Sequence, residues 1–232
     1  MIIGNGLIAK SFETYKTKND FLIFASGVSD SKSDNENDFK RERDLLSESI
    51  SNNPEKKIVY FSTTSIFDND LKETPYAKHK IILENLIKQN TSRYNIFRLS
   101  NLAGFSGNPN TILNFFYFHI VEGRHFDLWK NSERNIIDVE EVYRVIDHVL
   151  ENNLFENEII NIANTNNYPV NYIVHAIESF VNKQAIFTEK EKGAKISIDI
   201  SRVKPLFELL KIEFEENYLS RLLVKYYPQH DL

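Results

Sequence analysis

The chain opens "MIIGNGLIAKSF" (1–12), three apolar residues followed at once by a G-x-G-x-x-A frame at Gly4, Gly6 and Ala9. Gly4 and Gly6 let the backbone turn tightly and pass close to a ligand, and Ala9 lets the following helix pack near the strand. Amides exposed at the start of such a helix attract a phosphate. Ordinary strand-to-helix turns use the same residues, so the frame alone leaves cofactor binding and plain turn chemistry both open.

Downstream, short β-rich runs alternate with helical stretches. The runs are 1–3, "FLIFAS" (21–26), "KIVYFST" (57–63), "YNIFRLS" (94–100) and "EIINIAN" (158–164). Apolar residues at helical spacing predict helices over 7–16, 35–52, 77–90, 110–122, 139–152 and 170–182. Near-continuous apolar strands alternating with helices predict an α/β fold, a parallel sheet covered on both faces. Ligands of such folds bind at the carboxyl ends of the strands, where the unusual residues of this sequence fall. The polar stretch "SKSDNENDFKRERD" (31–44) reads as the solvated start of a helix, because Phe39, Leu45, Leu46 and Ile50 continue it. From 183 onward short strands and amphipathic helices are expected.

At 232 residues with 41% hydrophobic and 26% charged residues, the chain can bury a substantial core. A net charge of −5 gives no electrostatic reason to expect a nucleic-acid partner. With no cysteine, disulfides, thiolate catalysis and cysteine-ligated metals are excluded. Six histidines in no H-x-x-x-H or H-E-x-x-H pattern predict no metal site. No apolar run reaches membrane-spanning length, and Gly4 and Asn5 interrupt the amino terminus early. A cytoplasmic protein without a membrane partner is expected.

The chemistry gathers after "KIVYFST". That run ends on Ser62 and Thr63, is followed by Thr64 and Ser65, and leads to "YAKHK". Tyr76 and Lys80 are four residues apart and share one helix face. A free tyrosine titrates near ~10, and a neighbouring ammonium stabilises its phenolate. The pair suits general acid–base work, with Thr63 holding a substrate oxygen in line with the phenol. An exposed lysine beside a half-buried tyrosine on an amphipathic helix is the plainer alternative.

The ordered set of G-x-G-x-x-A, "FASGVSDS", the strand ending in Ser-Thr and Tyr-x-x-x-Lys resembles the extended short-chain dehydrogenase/reductase family, which includes NAD-dependent nucleotide-sugar epimerases, dehydratases and ketoreductases. "YNIFRLSNLAGFSGNPN", "RNIIDVEEVYRVIDHVL", "EIINIANTNNYPVNYIVHAIE" and "IDISRVKPLFELL" extend the resemblance over essentially the whole chain. It implies a Rossmann-like doubly wound parallel sheet formed by 1–100 and 135–164, with a smaller substrate lobe from 101–134 and 165–232. It implies an NAD- or NADP-dependent enzyme that reduces or epimerises a keto carbon of a nucleotide-activated sugar. A non-catalytic relative that binds a dinucleotide or sugar nucleotide is the alternative, and a homodimer is a further implication.

Residue by residue, the resemblance makes Tyr76 the proton donor or acceptor and gives Lys80 the nicotinamide ribose. Thr63 orients the substrate oxygen. Gly4, Asn5, Gly6, Leu7 and Ile8 take the pyrophosphate, and Ala25, Ser26, Gly27 and Ser62 line the cofactor. Thr64, Asn101 and Arg134 face the substrate. Arg134 equally suits an ion pair with Glu140 or Glu141, and Asn101 equally suits a turn cap. Family dehydratases carry an Asp-Glu pair where Thr64 and Ser65 stand, which disfavours dehydration here. The stretch between Thr63 and Tyr76 is shorter than in most relatives, so a more open active-site rim is expected. Between Ala9 and Phe21 there is room for one helix only, so the chain lacks the early strand and helix that normally supply the adenosine-ribose ligand. In an alternative register "FLIFAS" becomes that second strand and Asp30 the ribose ligand.

Overall fold

The computed structural model describes residues 1–105 and 107–228. In chain order the elements are β1 (Ile2–Ile3), α1 (Leu7–Ser11), β2 (Phe21–Phe24), α2 (Glu36–Asn52), β3 (Lys57–Thr63), α3 (Pro75–Asn90), β4 (Tyr94–Leu99), β5 (Asn101–Ala103) and α4 (Ile112–Glu122). They continue as β6 (Phe126–Trp129), β7 (Glu133–Asp138), α5 (Val139–Glu151), β8 (Glu158–Ile162), β9 (Asn167–Pro169), α6 (Val170–Val181), β10 (Phe187–Lys190), α7 (Lys204–Leu209) and α8 (Tyr218–Tyr226). The five anticipated strands form one parallel sheet in the order β1-β2-β3-β4-β8.

Side-chain alternation sends the two faces of this sheet into separate cores. Ile23, Val59, Phe61, Phe97 and Leu99 pack with Phe12 and Tyr15 after α1 and with Val142, Val145, Ile146 and Val149 of α5. Leu22, Phe24, Ile58, Tyr60 and Ile96 face Leu46 and Ile50 of α2 and Leu83 and Ile87 of α3. Every residue of β3 is buried, as a central strand requires. A third core joins α4, α6 and α8 to β6 through Phe116, Ile120, Phe126, Ile173, Ile177, Leu219 and Leu222.

The strand order never reverses. Each step from β1 to β4 advances in the same direction, yet α1 lies on one face and α2 and α3 on the other, so the β1–α1–β2 connection has the opposite hand to the next two. In a doubly wound sheet the first helix leads outward to a strand on the far side of β1. Here α1 keeps that helix's face, but the chain returns through a 3₁₀ turn (Glu13–Thr17) directly to β2. Tyr15 of that turn is fully buried and its hydroxyl donates to Asp147 (2.8 Å), which anchors the shortcut beneath the sheet. β1 is consequently an edge strand.

Two stretches depart from the sequence expectation. Helix α1 is five residues long rather than ten, because the chain tightens into the 3₁₀ turn. The third core adds the strands β5, β6, β7 and β9, which the apolar runs do not announce, while β10 and α8 are a short strand and an amphipathic helix of the kind expected from 183 onward.

Candidate active site

Helix α3 places the Tyr-x-x-x-Lys pair. Thr74 caps it by accepting from the Ala77 amide (3.3 Å), and Pro75 supplies a first-turn φ. Tyr76, Lys80 and Glu84 then follow at intervals of four along one face, all at least nine-tenths buried, and turn toward β3. The carboxyl ends of β1, β2, β3 and β4 surround a cavity of about 530 Å³. Asn5, Gly6, Leu7, Ile8, Ala25, Ser26, Gly27, Ser62, Thr63, Thr64, Tyr76, Lys80 and Asn101, all anticipated from the sequence, line it. Gly4 and Arg134 do not.

The glycines act in different ways. Gly4 has φ +120°, and a Cβ there would lie 2.3 Å from the Ala25 carbonyl oxygen, so it seats the turn against the end of β2. A Cβ on Gly6 would meet no atom within 4 Å, because that position faces the cavity. A Cβ on Gly27 would lie 2.6 Å from Lys80 Nζ and 2.8 Å from Glu42 Oε1, so the bare glycine leaves room for an ion pair.

That ion pair dominates the electrostatics. Lys80 Nζ donates to Glu42 Oε1 (2.8 Å) and to the Tyr60 hydroxyl (3.3 Å), and Tyr60 in turn donates to Glu42 Oε1 (3.0 Å). His79 Nε2 (3.1 Å) and the Val28 amide (2.8 Å) donate to Glu42 Oε2. Glu42 has no solvent exposure and Lys80 only 2%. Burial opposes ionisation of Glu42, but the Lys80 charge and these hydrogen bonds outweigh it and hold the carboxyl at about 2. Burial, and then the charge of Glu42, push the Tyr60 phenol well above its usual range, so Tyr60 keeps its proton. Lys80 has three N–H donors and spends two. Its Nζ lies 5.7 Å from the centre of the Tyr76 ring.

The remaining positions have definite partners. Thr63 Oγ1 accepts from the Ser65 amide (3.0 Å) and donates to Ser65 Oγ (2.9 Å), and Ser65 also lines the cavity. Ser62 donates to Glu84 (2.6 Å), which pairs with Arg98 at the back of the site. Asn101 Nδ2 donates to the Asn135 carbonyl (2.8 Å), binding β5 to β7 rather than capping a turn. Arg134 contacts neither Glu140 nor Glu141; its guanidinium lies 3.4 Å from Asp68 and donates to the Glu133 carbonyl. Asp30 accepts from the Lys32 amide and from Asn110 Nδ2, and it does not line the cavity.

Sequence reading missed Glu42, Tyr60 and Arg41 and named Ser65 only as standing where dehydratases carry an acid, and all four lie in or against the cavity. The buried stripe of α2, Leu46 and Ile50, extends back by four residues to Glu42. A carboxylate on an apolar stripe signals a buried partner, but the surrounding charge run hides it.

A family model described as the NAD dependent epimerase/dehydratase family matches residues 19–163. No curated protein matches the sequence. Among solved structures, the UDP-glucose 4-epimerase of Thermus thermophilus in complex with NAD superposes with a TM-score of 0.69 at 14% identity, over 92% of this chain and 81% of that one. Bacillus cereus UDP-glucuronic acid 4-epimerase in complex with UDP-glucuronic acid and NAD gives 0.71 at 16%, over 88% and 73%. The dTDP-glucose 4,6-dehydratase of Bacillus anthracis str. Ames in complex with NAD gives 0.66 at 17%, over 94% and 77%. At these identities the likeness is one of fold.

Proposed function

Because this chain belongs to the NAD dependent epimerase/dehydratase family, we propose that it is a nicotinamide-dependent oxidoreductase of a nucleotide-activated sugar, epimerising or reducing a keto carbon. The observation that carries the proposal is the convergence of Tyr76, Lys80 and Thr63 on the cavity that the Gly6 turn also lines. The residues suit the ribose–nicotinamide end of NAD or NADP: Gly6 leaves space beside the backbone, and Lys80 keeps a donor for a ribose hydroxyl. When bound, the nicotinamide supplies a hydride acceptor and donor.

The protein's part is to move and hold protons. Tyr76 takes the proton from a sugar hydroxyl as its carbon is oxidised and returns it when the carbonyl is reduced. Lys80 stands beside the ring of that tyrosine, and Glu42 balances much of its charge. Thr63 acts on the substrate oxygen through Ser65: its hydroxyl proton is committed to Ser65 Oγ, which leaves the Ser65 hydroxyl to donate into the cavity. Thr64 and Asn101 extend the same wall, and 101–134 with 165–232 serve as the substrate lobe. Arg134, tied to Asp68, reaches substrate only if that pair opens.

The second reading, a non-catalytic binder of sugar nucleotides, is favoured by the edge position of β1 alone. The two separate by experiment: NADH should raise the melting temperature, and Tyr76→Phe should abolish turnover of a UDP-hexose while keeping that shift. Binding of UDP-sugar without any nicotinamide binding would support the second reading instead.

A further inference from the structure

We infer that the cavity recognises its nicotinamide cofactor as a mononucleotide: the nicotinamide ribose and its 5′-phosphate are bound, with Arg41 on the phosphate, and the adenosine half receives no site on this chain. The inference rests on the proposed function and deepens it. Dinucleotide sites in doubly wound sheets straddle the point where strand order reverses, one mononucleotide-binding half on each side. This sheet runs β1-β2-β3-β4-β8 without reversal, so one half is present, the one that carries Tyr76 and Lys80. The nine residues from Phe12 to Asp20 do not form a substitute, since Phe12 and Tyr15 enter the core beneath the sheet.

The chemistry of the lining agrees. A dinucleotide crevice normally offers a carboxylate to the adenosine ribose hydroxyls. Among the described residues no Asp or Glu lines this cavity, and Asp30, the acid that follows β2, is engaged with Lys32 and Asn110. The segment after β2 also closes against the other wall, where Asn108 Nδ2 donates to Ser29 Oγ (3.2 Å). Two cations line the cavity among the described residues, Arg41 and Lys80. Glu42 already balances Lys80. Arg41 of α2 is exposed, makes no ion pair among the described residues, and donates only to the Ser26 carbonyl (3.3 Å) and hydroxyl (3.4 Å). A planar guanidinium without a counter-ion at the mouth of a neutral cavity suits a phosphate.

The test is calorimetric titration of the full chain with NADH, reduced nicotinamide mononucleotide, NADPH and ADP-ribose. The mononucleotide should bind within about tenfold of NADH, and ADP-ribose more than about tenfold more weakly than NADH. Arg41→Ala should weaken NADH and the mononucleotide alike by about tenfold, leave the melting temperature of the free protein unchanged, and leave the weaker binding of the phosphate-free riboside unaltered. A mononucleotide more than about tenfold weaker than NADH, or ADP-ribose equal to NADH, would overturn the inference while leaving the oxidoreductase reading intact. NADPH binding more than about tenfold tighter than NADH would overturn it too, by moving Arg41 to an adenosine phosphate. Failure of NADH and the mononucleotide alike to bind would bring down the proposed function itself, and the inference with it.

Discussion

Replacing Glu42 with glutamine removes the counter-ion of Lys80 and changes almost nothing else in shape. The charges are separated by 2.8 Å, which is worth about 6 kcal/mol at an effective dielectric of about 20 before burial is set against it. What survives burial shows in the ionisation of the carboxyl itself. Held at about 2 rather than 4.5, it favours its ionised form in the folded protein by about 3 kcal/mol, at about 1.4 kcal/mol per pH unit. Glu42→Gln also strands the Lys80 ammonium, and breaking one partner of a buried pair costs about 3–5 kcal/mol. Urea denaturation followed by circular dichroism should show that loss at neutral pH, with a melting temperature lower by on the order of 10 °C. Combining Glu42→Gln with Lys80→Met removes the stranded charge and should restore at least half of the loss. A single variant within about 1 kcal/mol of the parent would refute the reasoning, as would a double variant no more stable than the single one.

Three further outcomes follow from the same geometry. Because the folded carboxyl of Glu42 titrates below its ordinary value, its contribution is present above pH 4.5 and is lost as the pH falls toward 2, a limb that acid titration of Glu42→Gln should lack. Gly4→Ala should destabilise by more than about 2 kcal/mol, from positive φ and a clash with the Ala25 carbonyl, whereas Gly6→Ala should melt like the parent and weaken nucleotide binding by calorimetry. Asp138 caps α5 through the Glu140 amide and accepts from Tyr226 (2.6 Å) and Lys225 (2.7 Å), so Asp138→Ala should cost about 2–3 kcal/mol in denaturant unfolding.

The parallel sheet was legible because its strands are buried on both faces and read as unbroken apolar runs, as "KIVYFST" does over seven buried residues. The Tyr76–Lys80 relation was legible because it is local to one helix. Partners distant in sequence were not: Glu42 meets Lys80 across 38 residues and Arg134 meets Asp68 across 66, and no short-range spacing encodes either contact. Lys80 shows the consequence. Its helical spacing from Tyr76 suggests a free ammonium beside a phenol, whereas the fold delivers an ammonium shared with a buried carboxylate. The missing strand was visible as a short interval between Ala9 and Phe21. Its effect on the hand of the first connection and on the edge position of β1 required the topology.

The most direct test of the central claim is to load the chain with NAD⁺, add UDP-glucose or UDP-glucuronic acid, and follow the near-ultraviolet absorbance of reduced nicotinamide. The proton-transfer role of Tyr76 predicts a rise with the parent protein and none with Tyr76→Phe, both proteins binding the cofactor equally. An equal rise in Tyr76→Phe, or no rise with any nucleotide sugar despite bound cofactor, would contradict it.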